Sequence, residues 1–277
     1  MSDSALPPQI SVRQLSMAYG GFVVMHDLTF DIARGEIFVI MGGSGSGKST
    51  LLRHLIGLQE PAAGKVYYNG VDFTDAKTEM RNGILRKFGV MFQGGALWSS
   101  LTLAENVAFP LEEFTDLPAE IIRETVDLKL ALVGLRGFED FYPSEISGGM
   151  CKRASLARAM ALDPEILFFD EPSAGLDPVS ARRLDELILE LRETLGTTVV
   201  VVTHELASIF AIADRAIYLD VATRTLGGLG DPKTLRSQSD NENLRLFLNR
   251  GLTGLLPPPD TATGAPFVTP AVHPHQA

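Results

Sequence analysis

Apolar and polar residues alternate along residues 9–19 and 22–32, on either side of Gly20-Gly21. A period of two broken by glycines predicts an antiparallel pair of strands. Residues 36–41 form a short apolar run that ends in glycines, and residues 48–56 follow at helical spacing, closed by Gly57. That order predicts strand, glycine loop, helix, with Gly57 in the left-handed position just past the helix end. Residues 65–69 and 88–93 read as further strands, whereas residues 96–163 change to helical periodicity, for example over 119–133 before Gly134. The β pattern returns at 165–170 and 197–203, whose near-continuous apolar runs suit strands covered on both faces, and such strands belong to parallel sheets. Residues 179–195 between them carry the 3.6-residue period of a crossover helix, so 165–203 is a βαβ unit with a right-handed connection expected.

The fold class is therefore α/β: a parallel-sheet core, an N-terminal antiparallel β-subdomain and a helical insert. One domain is expected over residues 9–250, with the insert at about 96–163. Near its end the spacing of Leu244, Phe247 and Leu248 predicts a helix face packed on the core. From 252 to 277 prolines recur (Pro257, Pro258, Pro259, Pro266, Pro270, Pro274) and no periodic element fits. That composition reads as a disordered tail or as an arm laid along a second subunit.

Composition narrows the classes further. A chain of 277 residues, 45% of them hydrophobic, can bury a large core without a disulfide or metal staple and is not intrinsically disordered. The single cysteine, Cys151, excludes a disulfide framework within one chain. Neither a leader-like basic stretch followed by an apolar block nor a run of roughly 18 apolar residues is present, so direct membrane insertion is not expected. With 24 Lys+Arg against 34 Asp+Glu the formal net charge is −10. Each basic residue near an anionic membrane is worth only about 1 kcal/mol, and here carboxylates outnumber them, which argues against nucleic acid or lipid headgroups as direct partners. A soluble, intracellular protein is expected, whose membrane role would run through a protein partner.

The chemistry begins at Gly42-Gly43-Ser44-Gly45-Ser46-Gly47-Lys48-Ser49, followed by Thr50. Glycine, four residues, Gly-Lys-Ser, between a strand and a helix is a phosphate-binding loop. Its glycines let consecutive backbone N–H groups turn inward around phosphate oxygens, and the helix start adds about half a positive charge. Lys48 supplies one more, which still falls short of a nucleoside triphosphate, so a divalent cation held partly by Ser49 is required, and Mg²⁺ is inferred. A matching acidic residue belongs at the end of a neighbouring parallel strand. Asp170 and Glu171, after Ile166-Leu167-Phe168-Phe169, supply it: Asp170 to hold the magnesium shell through water, Glu171 to take a proton from an attacking water.

Ile146-Ser147-Gly148-Gly149-Met150 offers a second helix start with an exposed serine and two glycine N–H groups. It resembles the Leu-Ser-Gly-Gly-Gln signature of the nucleotide-binding subunits of ATP-binding-cassette (ABC) transporters, and its place between Lys48 and Asp170 fits that family. The resemblance covers roughly residues 9–230. It implies an ATPase using ATP and Mg²⁺, in which Ser147, Gly148 and Gly149 complete the ATP site of an opposite copy. It further implies that Tyr19 stacks on adenine and that Gln93 senses the γ-phosphate, reaches the metal and leads into the transporter-facing insert. Asp177, in Ser173-Ala174-Gly175-Leu176-Asp177, falls in the loop that crosses the dimer interface, and His204 contacts the γ-phosphate. Ile146 and Met150 depart from the signature, and Met150 removes an amide.

The Ser-Gly-Gly-Met form, with Phe92-Gln93-Gly94-Gly95-Ala96-Leu97, Glu105-Asn106-Val107-Ala108-Phe109-Pro110-Leu111 and Val133-Gly134-Leu135, is similar to the ATPase subunits of Mla-type phospholipid transporters. That narrower resemblance implies an integral permease, an MCE-type lipid-binding protein and a small STAS-domain protein as partners, on the cytoplasmic face of the inner membrane. Residues 104–111 also read as a generic amphipathic helix ended by Pro110. Uptake of a small polar solute is the rival within transport. A non-transport cassette acting in DNA repair or translation lacks support, because there is neither a long coiled coil, a second cassette nor a basic face. A GTPase or small-molecule kinase would leave the signature element without purpose and lacks a guanine-reading Asn-Lys-x-Asp.

Overall fold

The computed structural model describes residues 7–250; the proline-rich segment 252–277 lies outside them. β1 (Ile10–Tyr19) and β2 (Phe22–Ile32) pair antiparallel across Gly20-Gly21. β3 (Ile37–Met41) leads through the glycine loop into α1 (Lys48–Leu55). β4 (Ala63–Tyr68) and β5 (Val71–Asp72) join the first two strands in a four-stranded antiparallel sheet of order β2-β1-β4-β5. α2 (Thr78–Leu85) precedes β6 (Phe88–Met91). Then come α3 (Leu103–Phe114), α4 (Ala119–Leu132) and α5 (Gly148–Ala159) before the chain re-enters the sheet as β7 (Ile166–Asp170). α6 (Pro178–Leu195), β8 (Thr198–Val202), α7 (Leu206–Ile212), β9 (Arg215–Asp220), β10 (Thr225–Gly230), α8 (Pro232–Gln238) and α9 (Glu242–Asn249) complete the fold.

The main sheet has the order β10-β9-β3-β8-β7-β6, parallel except for the β10 edge. Its central strands alternate side chains between two cores. Ile37, Val39, Leu167, Phe169, Val199 and Val201 face α5, α6 and the inserted helices, while Phe38, Ile40, Phe168, Val200 and Val202 face α1 and the antiparallel sheet. Because both faces are covered, these strands carry no polar alternation. α1 is held by Leu51, Leu52 and Leu55, each essentially buried, at about 1.5–3 kcal/mol per side chain. α9 lies against β9 through Leu244, Phe247 and Leu248, and the Phe247 ring sits 5.4 Å from that of Tyr218.

Pro110 does not end its helix: α3 continues to Phe114 with the proline inside. Leu103, Val107 and Leu111 form one buried stripe, and the burial of Leu111 past the proline outweighs the main-chain hydrogen bond that proline removes. A capping box of Thr102 and Glu105 starts the helix. Buried Asn106 pins the preceding loop, accepting from the Trp98 N–H and donating to the carbonyls of Trp98, Leu101 and Thr102. None of the helices among the described residues is long and apolar enough to cross a membrane.

Candidate active site

Parallel pairing sets Ile40 level with Val202 and Asp170 level with Val202, so β3, β7 and β8 end together. The glycine loop, the Asp170-Glu171 pair and Thr203-His204 therefore leave the sheet at one edge, the place where open α/β sheets take ligands. Gly47 caps α1 at φ 87°, and a Cβ there would lie 2.8 Å from Val24. Only glycine lets the loop turn directly into the helix at that position.

Lys48 is buried and bends back over its own loop, donating to the carbonyls of Gly42 at 3.2 Å and Gly43 at 3.1 Å. Its Nζ lies 4.0 Å from Glu171 Oε1. Burial lowers the Lys48 pKa, while Glu171 and Asp170 pull it back up. Ser49 Oγ donates to Asp170 Oδ1 at 2.9 Å. Burial raises the Asp170 carboxyl above the usual range and the Ser49 bond opposes it. Two oxygen donors thus meet beside the loop, the ligand type that a hard cation such as Mg²⁺ takes.

Glu171 stands in the left-handed region at φ 49°, fixed by its N–H bond to the Val202 carbonyl at 2.8 Å. Such a backbone is costly for a residue with a Cβ and persists where the surroundings impose it. Its carboxyl lines the cleft. Oε1 meets His204 Nδ1 at 2.7 Å, and Oε2 is buried without a hydrogen-bond partner among the described residues. The cleft measures about 640 Å³ and is lined by the loop, Gln93, Glu171 and His204, with Tyr19 and Phe22 also on its wall. The half-exposed Tyr19 donates its hydroxyl to Gln59 Oε1 at 3.0 Å and lies 3.5 Å from the Thr50 hydroxyl.

The structure thus gathers Tyr19, Ser44 through Thr50, Gln93, Glu171 and His204 along one cleft, with Asp170 bonded to Ser49. Gly42 and Gly43 receive the lysine. Ser147, Gly148 and Gly149 are not part of it. Ser147 caps α5, accepting from the Met150 N–H at 3.3 Å, and with Gly149 it opens onto a separate cleft beside Val133, Leu176 and Arg183. Because Met150 contributes its main-chain N–H to this cap, the missing glutamine amide does not affect it. Asp177 caps α6, accepting from the N–H groups of Val179 and Ser180 at 3.0 Å each, and its hydrogen bonds to Ser180 and Val179 lower its pKa.

Three further contributors carry little or no mark in the sequence. Lys152 on α5 donates to the Gln93 carbonyl, and Arg158 donates to the carbonyls of Ala96 at 2.7 Å and Gly95 at 3.0 Å. The helix begun by the signature thereby holds the Gln93 loop. Gly89 allows it, since a Cβ there would collide with the Ala159 carbonyl of α5. The third is Arg250, which lines the same cleft as the glycine loop. Basic residues in the helical stretch after Gly149 are the only signal for the first two; none marks the third.

A family model described as ABC transporter matches residues 25–174. That match covers the glycine loop, the signature and the Asp170-Glu171 pair. The chain belongs to the ABC transporter family. Among curated relatives it is 41% identical over 240 residues to the probable ribonucleotide transport ATP-binding protein mkl of Mycobacterium leprae, covering 87% of this chain and 68% of that one. It is 38% identical over 248 residues to the intermembrane phospholipid transport system ATP-binding protein MlaF of Escherichia coli, covering 90% and 91%. Among solved structures, the dimeric post-hydrolysis state of the ATP-binding cassette MJ0796 bound to ADP and Pi matches with a TM-score of 0.73 at 31% identity over 80% of this chain and 98% of that one. CbiO1 of Clostridium perfringens, part of the ABC transporter complex cbiONQ, matches at 0.77, 26% identity and coverage of 89% and 96%. This cassette is an ATP-hydrolysing transporter subunit, and its fold is that of the ABC ATPases.

Proposed function

We propose that the cassette hydrolyses MgATP between two copies of itself and thereby powers phospholipid transport by an integral permease. The observation that carries the catalytic reading is Glu171: a carboxylate in the phosphate cleft on a left-handed backbone, one oxygen on His204, the other buried and without a partner among the described residues. That oxygen suits a water aligned on the terminal phosphate, with Glu171 as base and His204 and Gln93 as orienting groups. Lys48 and the loop N–H groups would stabilise charge on the transferring phosphoryl group. Ser49, Asp170 and Gln93 are the residues to hold Mg²⁺, which would neutralise part of the phosphate charge. Tyr19 would receive the adenine ring.

Separation of Ser147 and Gly149 from that cleft within one chain supports their use on a partner copy, as does the dimeric form of the related cassette MJ0796. The permease would dock on the groove between β6 and the inserted helices, lined by Leu85, Phe88, Val90, Pro110, Phe114 and Leu162, whose floor adjoins the Gln93 loop through Arg158. Such docking would hold the subunit on the cytoplasmic face of a membrane without inserting into it. MCE-type and STAS-domain proteins would be further members of the assembly.

Phospholipid as cargo rests on the MlaF relatives; the mkl name supports a second reading, uptake of a polar solute such as a ribonucleotide. Purification of the full chain with its permease, organic extraction and mass spectrometry separates the two. Phospholipid bound in a fixed ratio to the complex, together with ATPase activity raised by phospholipid vesicles and indifferent to ribonucleotides, is expected. Activity raised by ribonucleotides and not by lipid would overturn the lipid reading.

A further inference from the structure

Arg250, the C-terminal cap of α9, reaches the phosphate cleft although it lies far in sequence from every motif named above. Its Nη2 donates to the main-chain carbonyl of His204. The guanidinium stacks over the Phe247 ring at 4.5 Å, and Phe247 is itself buried on β9 against Tyr218. A packed aromatic platform therefore supports a cation in the part of the cleft that holds His204 and Glu171. Lys48 lines the same cleft, so a polyanion seated there would meet both side chains.

We propose that Arg250 is a further nucleotide-binding residue, one that contacts the terminal phosphate of ATP while holding the His204 loop by its carbonyl. The inference rests on the reading of this cleft as the ATP site and adds a contact from the C-terminal helix. A planar guanidinium fork can make both contacts at once. One N–H keeps the His204 carbonyl while others take a phosphate oxygen, which the point charge of a lysine cannot do as well. Contact with the terminal phosphate alone makes Arg250 a discriminator between ATP and ADP. It also joins α9 to the state of the nucleotide.

Equilibrium titration of the full-length chain with ATP and with ADP, each with Mg²⁺, tests this in Arg250→Ala, Arg250→Lys and the Lys48→Ala control. For Arg250→Ala the ATP affinity is expected to fall about tenfold to a hundredfold, the loss of a charge-assisted phosphate contact, with ADP affinity within about twofold. Arg250→Lys should fall between. Equal losses for ATP and ADP, or no change in either, would overturn the proposal, the first marking Arg250 as a mere support for α9. Circular dichroism and the melting temperature check that the variants fold. Should Lys48→Ala also bind both nucleotides like the unmodified chain, the cleft itself would be misassigned, a failure distinct from that of Arg250.

Discussion

Two helix starts in this molecule sit on glycines, and they are furnished very differently. At α1 the glycine loop is surrounded by Lys48, Ser49, Asp170, Glu171 and His204, five side chains within a web of bonds at one sheet edge. At α5 the first glycine and Ser147 lie open, and the neighbouring cleft holds Arg153, Arg183, Glu186 and Glu190 but, among the described residues, neither a serine–aspartate pair nor a histidine-bound carboxylate. In the proposed function one start does chemistry and the other only binds. A chain that carried both halves of a site on a single surface would have no need to keep them apart. In the proposed assembly the binding half serves another copy, and ATP becomes the joint between them.

Replacing the base should break this contrast most visibly. Glu171→Gln is expected to lower steady-state ATP hydrolysis by about 10²–10⁴-fold while ATP binding persists; near-normal turnover would remove Glu171 from its role. Lys48→Ala acts on the same half but on binding. Loss of its charge-assisted contact should weaken nucleotide affinity by about tenfold to a hundredfold in a fluorescence titration, and unchanged affinity would contradict the charge argument. The other half should behave in the opposite way. Ser147→Arg is expected to leave the affinity of a dilute single chain for ATP unaltered and to cut hydrolysis by about tenfold or more, since the arginine would block the partner's phosphate. A fall in the affinity of the isolated chain would mean that Ser147 serves its own cleft.

A smaller effect sharpens the link between the two loops that lead to these halves. Asp185 on α6 is buried, accepts from Ser208 of α7 at 2.8 Å, and leaves its second oxygen without a partner among the described residues. Burial pushes its pKa up from 3.8 to about 6. Folding therefore takes up a proton in that window, so the contribution of this group to stability falls as pH rises from 3.8 to about 6 and stays low above it. The ionised form costs the fold up to about 3 kcal/mol. Asp185→Asn keeps an acceptor for Ser208 and should stabilise the protein by about 1–3 kcal/mol at pH 8, with the gain vanishing near pH 4 in urea unfolding. A gain that does not depend on pH would point to packing instead.

Much of this is legible in the chain because local chemistry and sheet period agree there. The strands flanking the glycine loop and Asp170 are apolar on both faces, and loop residues at their ends have few other uses than to meet a ligand. The legible parts stop where tertiary burial decides. Pro110 reads as a helix end, yet the buried stripe through Leu111 carries α3 past it. The β9–β10 hairpin is hidden because Thr225–Gly230 has three glycines and little alternation, and only its pairing with β9 makes it a strand. Lys152, Arg158 and Arg250 act on main-chain carbonyls of loops remote in sequence, and carbonyls leave no mark in a sequence. The left-handed backbone of Glu171 is of the same kind, imposed by the Val202 carbonyl on a residue whose type gives no hint of it.

Light scattering on the full-length Glu171→Gln chain with MgATP asks directly whether the two halves meet. The mass should double when nucleotide is added, and it should return to that of a single chain when Ser147→Arg is introduced on the same background. A nucleotide-saturated Glu171→Gln chain that keeps the mass of one copy, even in the presence of its permease, would contradict a site shared between two chains.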